Sequence, residues 1–401
     1  MNIDIQRKID RYLGTIVCRI LSFLPSKSVS NTESEPRNIL IILLSEMGSL
    51  VLAYPMFQQL KQRYPGARVS VLLFRKNREM LEILNVVPAE NIHTINDASM
   101  SVFAASTVRA IYTMHQQKYD AVVDCELFAR FSSLLSYFSG AKLRAGFGPY
   151  TQEGLYRGGF INRPVLYNPY LHISQQYLNL LEALDSCSVP TAKRSIENSR
   201  LEVPTLVLDV NEREVMMDRL YRDFPVCVRQ KLVLIYPSGG VLSIRAWPQE
   251  YYCQLAKALL ADGYVVAIIG MHSDEELAQQ IVAYCKHPNC IDLTGYTRTI
   301  RELMVLFFHA SLLVTNDGGP GQFAAMTPVP TIIFYGPETP VLYGSHSRNA
   351  VFFYISMSCS PCLTAYNHRS SPCDGDNQCL RRINPDKVYE KAQELLAALA
   401  D

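Results

Sequence analysis

The chain has 401 residues, enough for two domains with substantial cores, and at 48% hydrophobic and 19% charged it has the composition of a globular protein. Lys and Arg total 38 against 37 Asp and Glu, and a formal net charge of +1 argues against general polyanion binding and so against nucleic acid as a partner. Eleven cysteines, several placed singly in apolar stretches such as Cys125, Cys253 and Cys285, read as buried thiols of a reducing compartment, by default the cytoplasm.

Residues 2–24 predict a helix, because Ile9, Leu13, Ile16, Val17, Ile20, Leu21 and Leu24 recur at helical spacing while Arg7, Lys8, Arg11 and Arg19 fall largely outside that stripe. Gly14 and Arg19 break the apolar runs well short of the ~20 residues that a spanning helix needs. Three readings stand: a helix lying in the plane of a membrane with its basic residues at the headgroups, a helix docked on the protein's own body, and an uncleaved signal-like segment. Pro25 ends it, and residues 26–36 read as a polar linker.

The first globular half opens with a strand at Ile39–Leu44, the loop Ser45-Glu46-Met47-Gly48-Ser49, a helix from Leu50 to Arg63 and a strand at Arg68–Phe74. This βαβ unit lacks the G-x-G-x-x-G spacing of a dinucleotide site, which argues against a nicotinamide cofactor. Strands at 91–95 and 120–125 flank a helix at 100–117. Asp124, Glu126 and Arg130 then gather beyond a strand's carboxyl end, where open α/β sheets meet their ligands, or else form a solvated loop of charges. Residues 140–150 are punctuated by glycine, and 170–185 reads as an amphipathic helix with His172 near its start. Periodicity is lost over 187–204, the expected interdomain connection.

The second half opens with a strand at Lys231–Tyr236, then Pro237-Ser238-Gly239-Gly240 and a loop to Arg245-Ala246-Trp247-Pro248, with Pro248 starting a helix to Ala261. Strands at 264–269 and 290–293 alternate with helices at 274–285 and 299–309, the last with Thr299 and Glu302 as a capping box. Residues 311–338 give a strand (Leu312–Thr315), the turn Asn316-Asp317-Gly318-Gly319-Pro320, a short helix near Gly321 and a strand at Thr331–Tyr335. Free amides at that helix start favour a diphosphate, whereas Asp317 would repel one and suits sugar or ribose hydroxyls; the bland reading is a turn signal alone. Glu338, in the loop Gly336–Pro340, suits ribose hydroxyls. Cys359, Cys362, Cys373 and Cys379, with His368 between the pairs, allow a metal site, a disulfide or redox role, or packed free thiols. A helix at 385–399 closes the chain. No repeat of 20 to 50 residues recurs.

Five segments carry a resemblance: 45–67 (SEMGSLVLAYPMFQQLKQRYPGA), 236–252 (YPSGGVLSIRAWPQEYY), 315–325 (TNDGGPGQFAA), 334–340 (FYGPETP) and 359–379 with its cysteines. The chain resembles glycosyltransferase family 9, the ADP-heptose:lipopolysaccharide heptosyltransferases of GT-B architecture. That resemblance implies two Rossmann-like α/β domains facing across a cleft: residues 37–205 for the acceptor and 206–384 for the donor, preceded by the helix and linker of 1–36 and followed by the helix of 385–401. It implies inverting transfer, with no bound metal or other cofactor, from a nucleotide-diphosphate sugar to a lipopolysaccharide-type or other cell-envelope glycan acceptor. The expected location is cytoplasmic, on the inner face of the inner membrane, with the N-terminal helix on its surface. Ser238, Gly239 and Arg245 would hold the diphosphate, and Asp317, Gly318 and Gly319 belong to the donor loop. Two positions depart from the family. Ser49 stands where a presumed Asp base is common, and Gln322 stands where a His is usual. Serine cannot take a proton unaided, so Glu46 is the substitute base, with Asp124 or Glu126 next and Ser49 and Glu126 on the acceptor side. The alternative is a catalytically degenerate sugar-nucleotide or glycan-binding protein; a UDP-sugar epimerase of the same fold is a third reading.

Overall fold

The computed structural model describes residues 3–23, 35–44, 46–149, 156–186, 188–196, 201–367 and 369–398. Ser45, Cys187, His368, Leu24, Pro25, Leu399 and most of the expected linker lie outside the described residues. The chain forms two compact units, one of Met1–Glu202 with Thr364–Ser370 and one of Val203–Leu363 with Ser371–Asp401.

The first unit holds six strands: β1 (Asn38–Ile42), β2 (Arg68–Phe74), β3 (Ile92–Ile95), β4 (Ala121–Asp124), β5 (Leu143–Gly148) and β6 (Arg163–Leu166). They run in the order β3-β2-β1-β4-β5-β6, every neighbouring pair parallel. Both faces are covered by helices, so the central strands are apolar throughout, with Ile39 to Ile42 fully buried. Sequence periodicity did not reveal β5 and β6, because Gly146, Gly148 and Arg144 interrupt the first and Pro164 the second. Pro164 is tolerated because β6 is an edge strand, where a missing N–H costs no ladder bond on its open side. The expected helix 50–63 is two helices, Met47–Leu52 and Tyr54–Arg63, since Pro55 cannot supply the amide that a continuous helix requires. A helix at Arg130–Phe138 was also hidden, its serines (Ser132, Ser133 and Ser136, all buried) being weak helix signals.

The second unit repeats the plan with β7 (Leu232–Tyr236), β8 (Val265–Gly270), β9 (Cys290–Thr294), β10 (Leu312–Asn316), β11 (Thr331–Tyr335) and β12 (Ala350–Tyr354). The order is β12-β11-β10-β7-β8-β9, again wholly parallel. Trp247, the chain's one tryptophan, stacks on Phe334 at 4.5 Å between ring centroids and donates its indole N–H to the Ile383 carbonyl. The terminal helix Pro385–Ala397 buries Val388, Ala392 and Leu396 in the same core. Only half of the expected capping box forms: Thr299 accepts the Glu302 amide, but the Glu302 carboxylate takes the Arg298 amide and pairs with Arg219.

The N-terminal helix runs from Ile3 to Ser22 with one π turn at Asp10–Gly14. It docks on the first unit by a small and polar face. The Asp10 carboxylate accepts the amides of Arg130 (2.9 Å) and Phe131 (2.7 Å), supplying the N-terminal cap that Ala129 cannot give to helix Arg130–Phe138. Cys18 is buried against Ser133, and the Ser22 hydroxyl accepts the Gly159 amide at 2.7 Å. Ile9, Leu13, Ile16 and Ile20 of the apolar stripe face away, whereas Leu21 packs beside Cys18, Phe160 and Ile161. No helix among the described residues is long and apolar enough to cross a membrane.

Candidate functional site

In each unit the strand order reverses beside the first strand, between β1 and β4 and between β7 and β10. At such a switch point the outgoing loops diverge and leave a crevice at the strands' carboxyl ends. The candidate residues read from the sequence sit at these two places.

In the first unit Glu46 occupies the position just before helix Met47–Leu52. Its carboxylate forms an ion pair with Arg369 and accepts the Ser49 hydroxyl at 3.4 Å, so Glu46 and Ser49 act as one group. The Glu46 side chain is 42% exposed and that of Arg369 only 8%. Arg369 holds a left-handed backbone at φ 52°, a conformation that costs a non-glycine residue about 1–3 kcal/mol. Glu126 turns inward: one carboxylate oxygen accepts the Leu44 amide at 2.7 Å and ties the loop after β4 to the loop after β1. Asp124 is wholly buried, ion-paired with Arg157, which is itself 1% exposed. The guanidinium also donates to Ser132 (2.8 Å) and to the Ala129 carbonyl (3.0 Å), and Asp124 accepts the Glu126 amide at 3.1 Å. Burial raises the Asp124 pKa, and the Arg157 charge pulls it back. Asp124 therefore organises the loop from within, whereas the Glu46 side chain is open to solvent.

In the second unit Ser238 and Gly239 follow β7, Asp317 follows β10 and Glu338 follows β11. The structure brings Arg245 to both acids, 2.6 Å from the Glu338 carboxylate and 3.8 Å from that of Asp317. All three are largely buried. Arg245 is thus a cation already embraced by two anions, not the isolated positive charge that the sequence suggested. Gln322 donates one of its two amide N–H groups to the Tyr343 carbonyl at 2.8 Å, which fixes the orientation of the side chain. Gly239 is required by its own loop: a Cβ there would stand 2.6 Å from the Leu242 carbonyl oxygen. Gly318 differs, being extended at φ 166°, and an added Cβ would meet nothing nearer than 4.0 Å.

Asn316 was passed over in the sequence, although it stands beside Asp317. Its amide nitrogen donates to the carbonyls of Pro237 and Ser238, both at 3.1 Å, and its oxygen accepts the Trp247 amide (2.9 Å) and the Tyr252 hydroxyl (2.8 Å). One buried amide thereby fixes the β7 loop, the Trp247 loop and the end of β10. Arg157 and Arg369 were also missed, and here no local signal exists: Arg369 lies 323 residues from Glu46.

Cys359 and Cys373 are exposed, Cys362 is half-buried and Cys379 buried; all four are free thiols. Burial, then the nearby Cys362, pushes the Cys379 thiol up to about 11. Among the described residues no group of three or more His, Cys, Asp or Glu side chains is gathered to hold a metal, and His368 is not among those residues.

Comparison with known proteins gives concordant results. The sequence model of Glycosyltransferase family 9 (heptosyltransferase) matches residues 108–370. Lipopolysaccharide heptosyltransferase 2 of Salmonella typhimurium is 25% identical over 367 residues, covering 90% of this chain and 98% of that protein. Among solved structures, the E. coli ADP-heptose LPS heptosyltransferase II superposes with a TM-score of 0.69 at 22% identity, over 91% of this chain and 100% of the other. A family 9 glycosyltransferase from Veillonella parvula superposes with a TM-score of 0.67 at 18% identity, over 90% and 97%.

Proposed function

We propose, on the premise that this chain belongs to glycosyltransferase family 9, that it transfers heptose or a related sugar from an ADP-sugar to a lipopolysaccharide-type acceptor, with inversion and without a bound metal. The acceptor hydroxyl oxygen attacks the anomeric carbon, the bond from that carbon to the diphosphate oxygen breaks, and the nucleoside diphosphate leaves with the electron pair. Glu46 takes the hydroxyl proton, with Ser49 hydrogen-bonded to it as an acceptor contact. Asp124 and Glu126 hold the loops that carry this group. Asp317 and Glu338 accept sugar and ribose hydroxyls. Arg245, preset by those two acids, serves the departing diphosphate together with Ser238, Gly239 and the first amides of helix Gly319–Ala324. The work is done on the inner face of the cytoplasmic membrane, where a lipid-linked acceptor is accessible from the cytoplasm.

The observation that carries this reading is the Arg245, Asp317 and Glu338 cluster at the carboxyl ends of adjacent strands. The test has two parts. ADP, UDP, GDP and CMP are compared for thermal stabilisation, where a ligand at 100 times its Kd adds roughly 2.7 kcal/mol. ADP is expected to lead, and Asp317→Ala and Arg245→Gln to blunt it. ADP-heptose is then supplied with heptose-deficient lipopolysaccharide, and the product anomer is read by NMR. Failure of every nucleoside diphosphate to stabilise the protein refutes the donor site; retention of configuration refutes single displacement.

A further inference from the structure

The N-terminal helix leaves most of its large apolar side chains in solvent, Leu21 excepted, which packs beside Cys18 and Phe160. Ile9 is 44% exposed, Tyr12 65%, Leu13 58%, Ile16 55%, Ile20 60% and Phe23 89%. This exposure is not the result of a loose tether. Asp10, Gly14, Cys18 and Ser22 recur every fourth residue, form one face, and are each seated on the first unit. Gly14 has no room for a side chain, since a Cβ would lie 2.8 Å from the Cβ of Arg130. The helix thus seats its small and polar residues, with Leu21 packed beside Cys18, Phe160 and Ile161, on the protein and presents Ile9, Tyr12, Leu13, Ile16, Ile20 and Phe23 outward.

We propose that this outward face is a docking surface for an anionic lipid bilayer, held at a fixed orientation to the first unit; the proposal rests on the preceding reading only for why an enzyme should need one. Charge selects the occupant. Lys8, Arg11 and Arg19 are exposed on the same helix, while Asp10, the acidic residue of the segment 6–23, is turned inward to the amides of Arg130 and Phe131. A stripe of Ile, Leu, Tyr and Phe bordered by cations suits the boundary between acyl chains and anionic headgroups. A second copy of the chain is disfavoured, because stripe-to-stripe pairing would set the two basic borders side by side. Tyr12 and Phe23 add aromatic rings of the kind enriched at that depth.

The test is flotation of the full-length protein with phosphatidylcholine vesicles with and without phosphatidylglycerol. Wild type is expected to float with the anionic vesicles and to be released by salt. Ile16→Asp with Ile20→Asp should abolish flotation, and each of Lys8→Gln, Arg11→Gln and Arg19→Gln should weaken it about fivefold. These side chains are exposed, so the melting temperature should not move; Ile16→Ser with Ile20→Ser, a milder pair, should give the same loss. Flotation of the Asp pair at the wild-type level overturns the proposal, as does a lipid-free wild-type dimer that the Asp pair converts to monomer. Transfer to a deacylated, soluble acceptor should be unchanged in every variant. If wild type transfers no sugar yet floats as described, the reaction reading fails and the lipid surface stands.

Discussion

The two units share a sheet order and place charged side chains at the same topological position, yet they distribute charge differently. In the first, two acids have an arginine each, Asp124 with Arg157 in full burial and Glu46 with Arg369 at a partly open edge, while Glu126 accepts the Leu44 amide. In the second, one arginine serves two acids, so Arg245, Asp317 and Glu338 carry a formal charge of −1 together. On the proposed roles, the first unit separates architecture from chemistry, one pair for each. The second unit merges them, and a substitution there should disturb loop geometry and ligand binding at once.

The largest expected effect tests the separation. Glu46→Gln should lower kcat by about 10²- to 10⁴-fold while ADP binding stays at the wild-type level, and loss of the charge beside the nearly buried Arg369 should cost about 1–3 kcal/mol, measured by transfer assay, calorimetry and denaturation. Undiminished turnover would remove Glu46 as the base. Arg157→Met is the architectural counterpart. It leaves Asp124 as an unpaired buried charge and should cost about 3–5 kcal/mol in urea denaturation, most of which the double variant Asp124→Leu with Arg157→Met recovers. A cost under 1 kcal/mol would mean that the buried pair is not what holds this loop.

Smaller effects probe the merged site. Asn316→Asp takes the N–H donors from two buried carbonyls and faces them with an oxygen. A loss of about 1–3 kcal/mol is expected, together with weaker ADP affinity; loss of stability alone would show that the β7 loop does not shape the donor seat. Last come the glycines. Gly239→Ala forces a Cβ onto a backbone carbonyl and should cost about 1–3 kcal/mol. Gly318→Ala should leave stability within about 0.5 kcal/mol and lower ADP affinity, since the added methyl group would enter the proposed diphosphate seat. Equal behaviour of the two variants would erase that distinction.

Much of this was legible in the sequence because the signals are local. The apolar runs of β1, β2, β7, β10 and β11 are short and bounded by glycine turns, and Ser238, Asp317 and Glu338 each follow a strand by a few residues. What escaped was either locally ambiguous or distant. The serines of helix 130–138 and Pro164 of β6 speak against the structures they form, and only tertiary packing overrides them. The partners of Glu46 and Asp124 are arginines 323 and 33 residues away, a separation that no periodicity records. The stripe of the N-terminal helix was visible, but which face meets the protein depended on Asp10 finding two amides of a distant helix.

Residues 364–370, encoded near the end of the chain, are built into the unit that the first half of the chain begins. A ribosome that has released residues 1–202 has made every strand of the first sheet but not the guanidinium that accompanies Glu46. An amino-terminal fragment should thus be an incomplete lobe, and separately produced halves should regain turnover only if the piece bearing Arg369 is supplied. The timing of synthesis itself then leaves Glu46 without its arginine until almost the whole polypeptide exists.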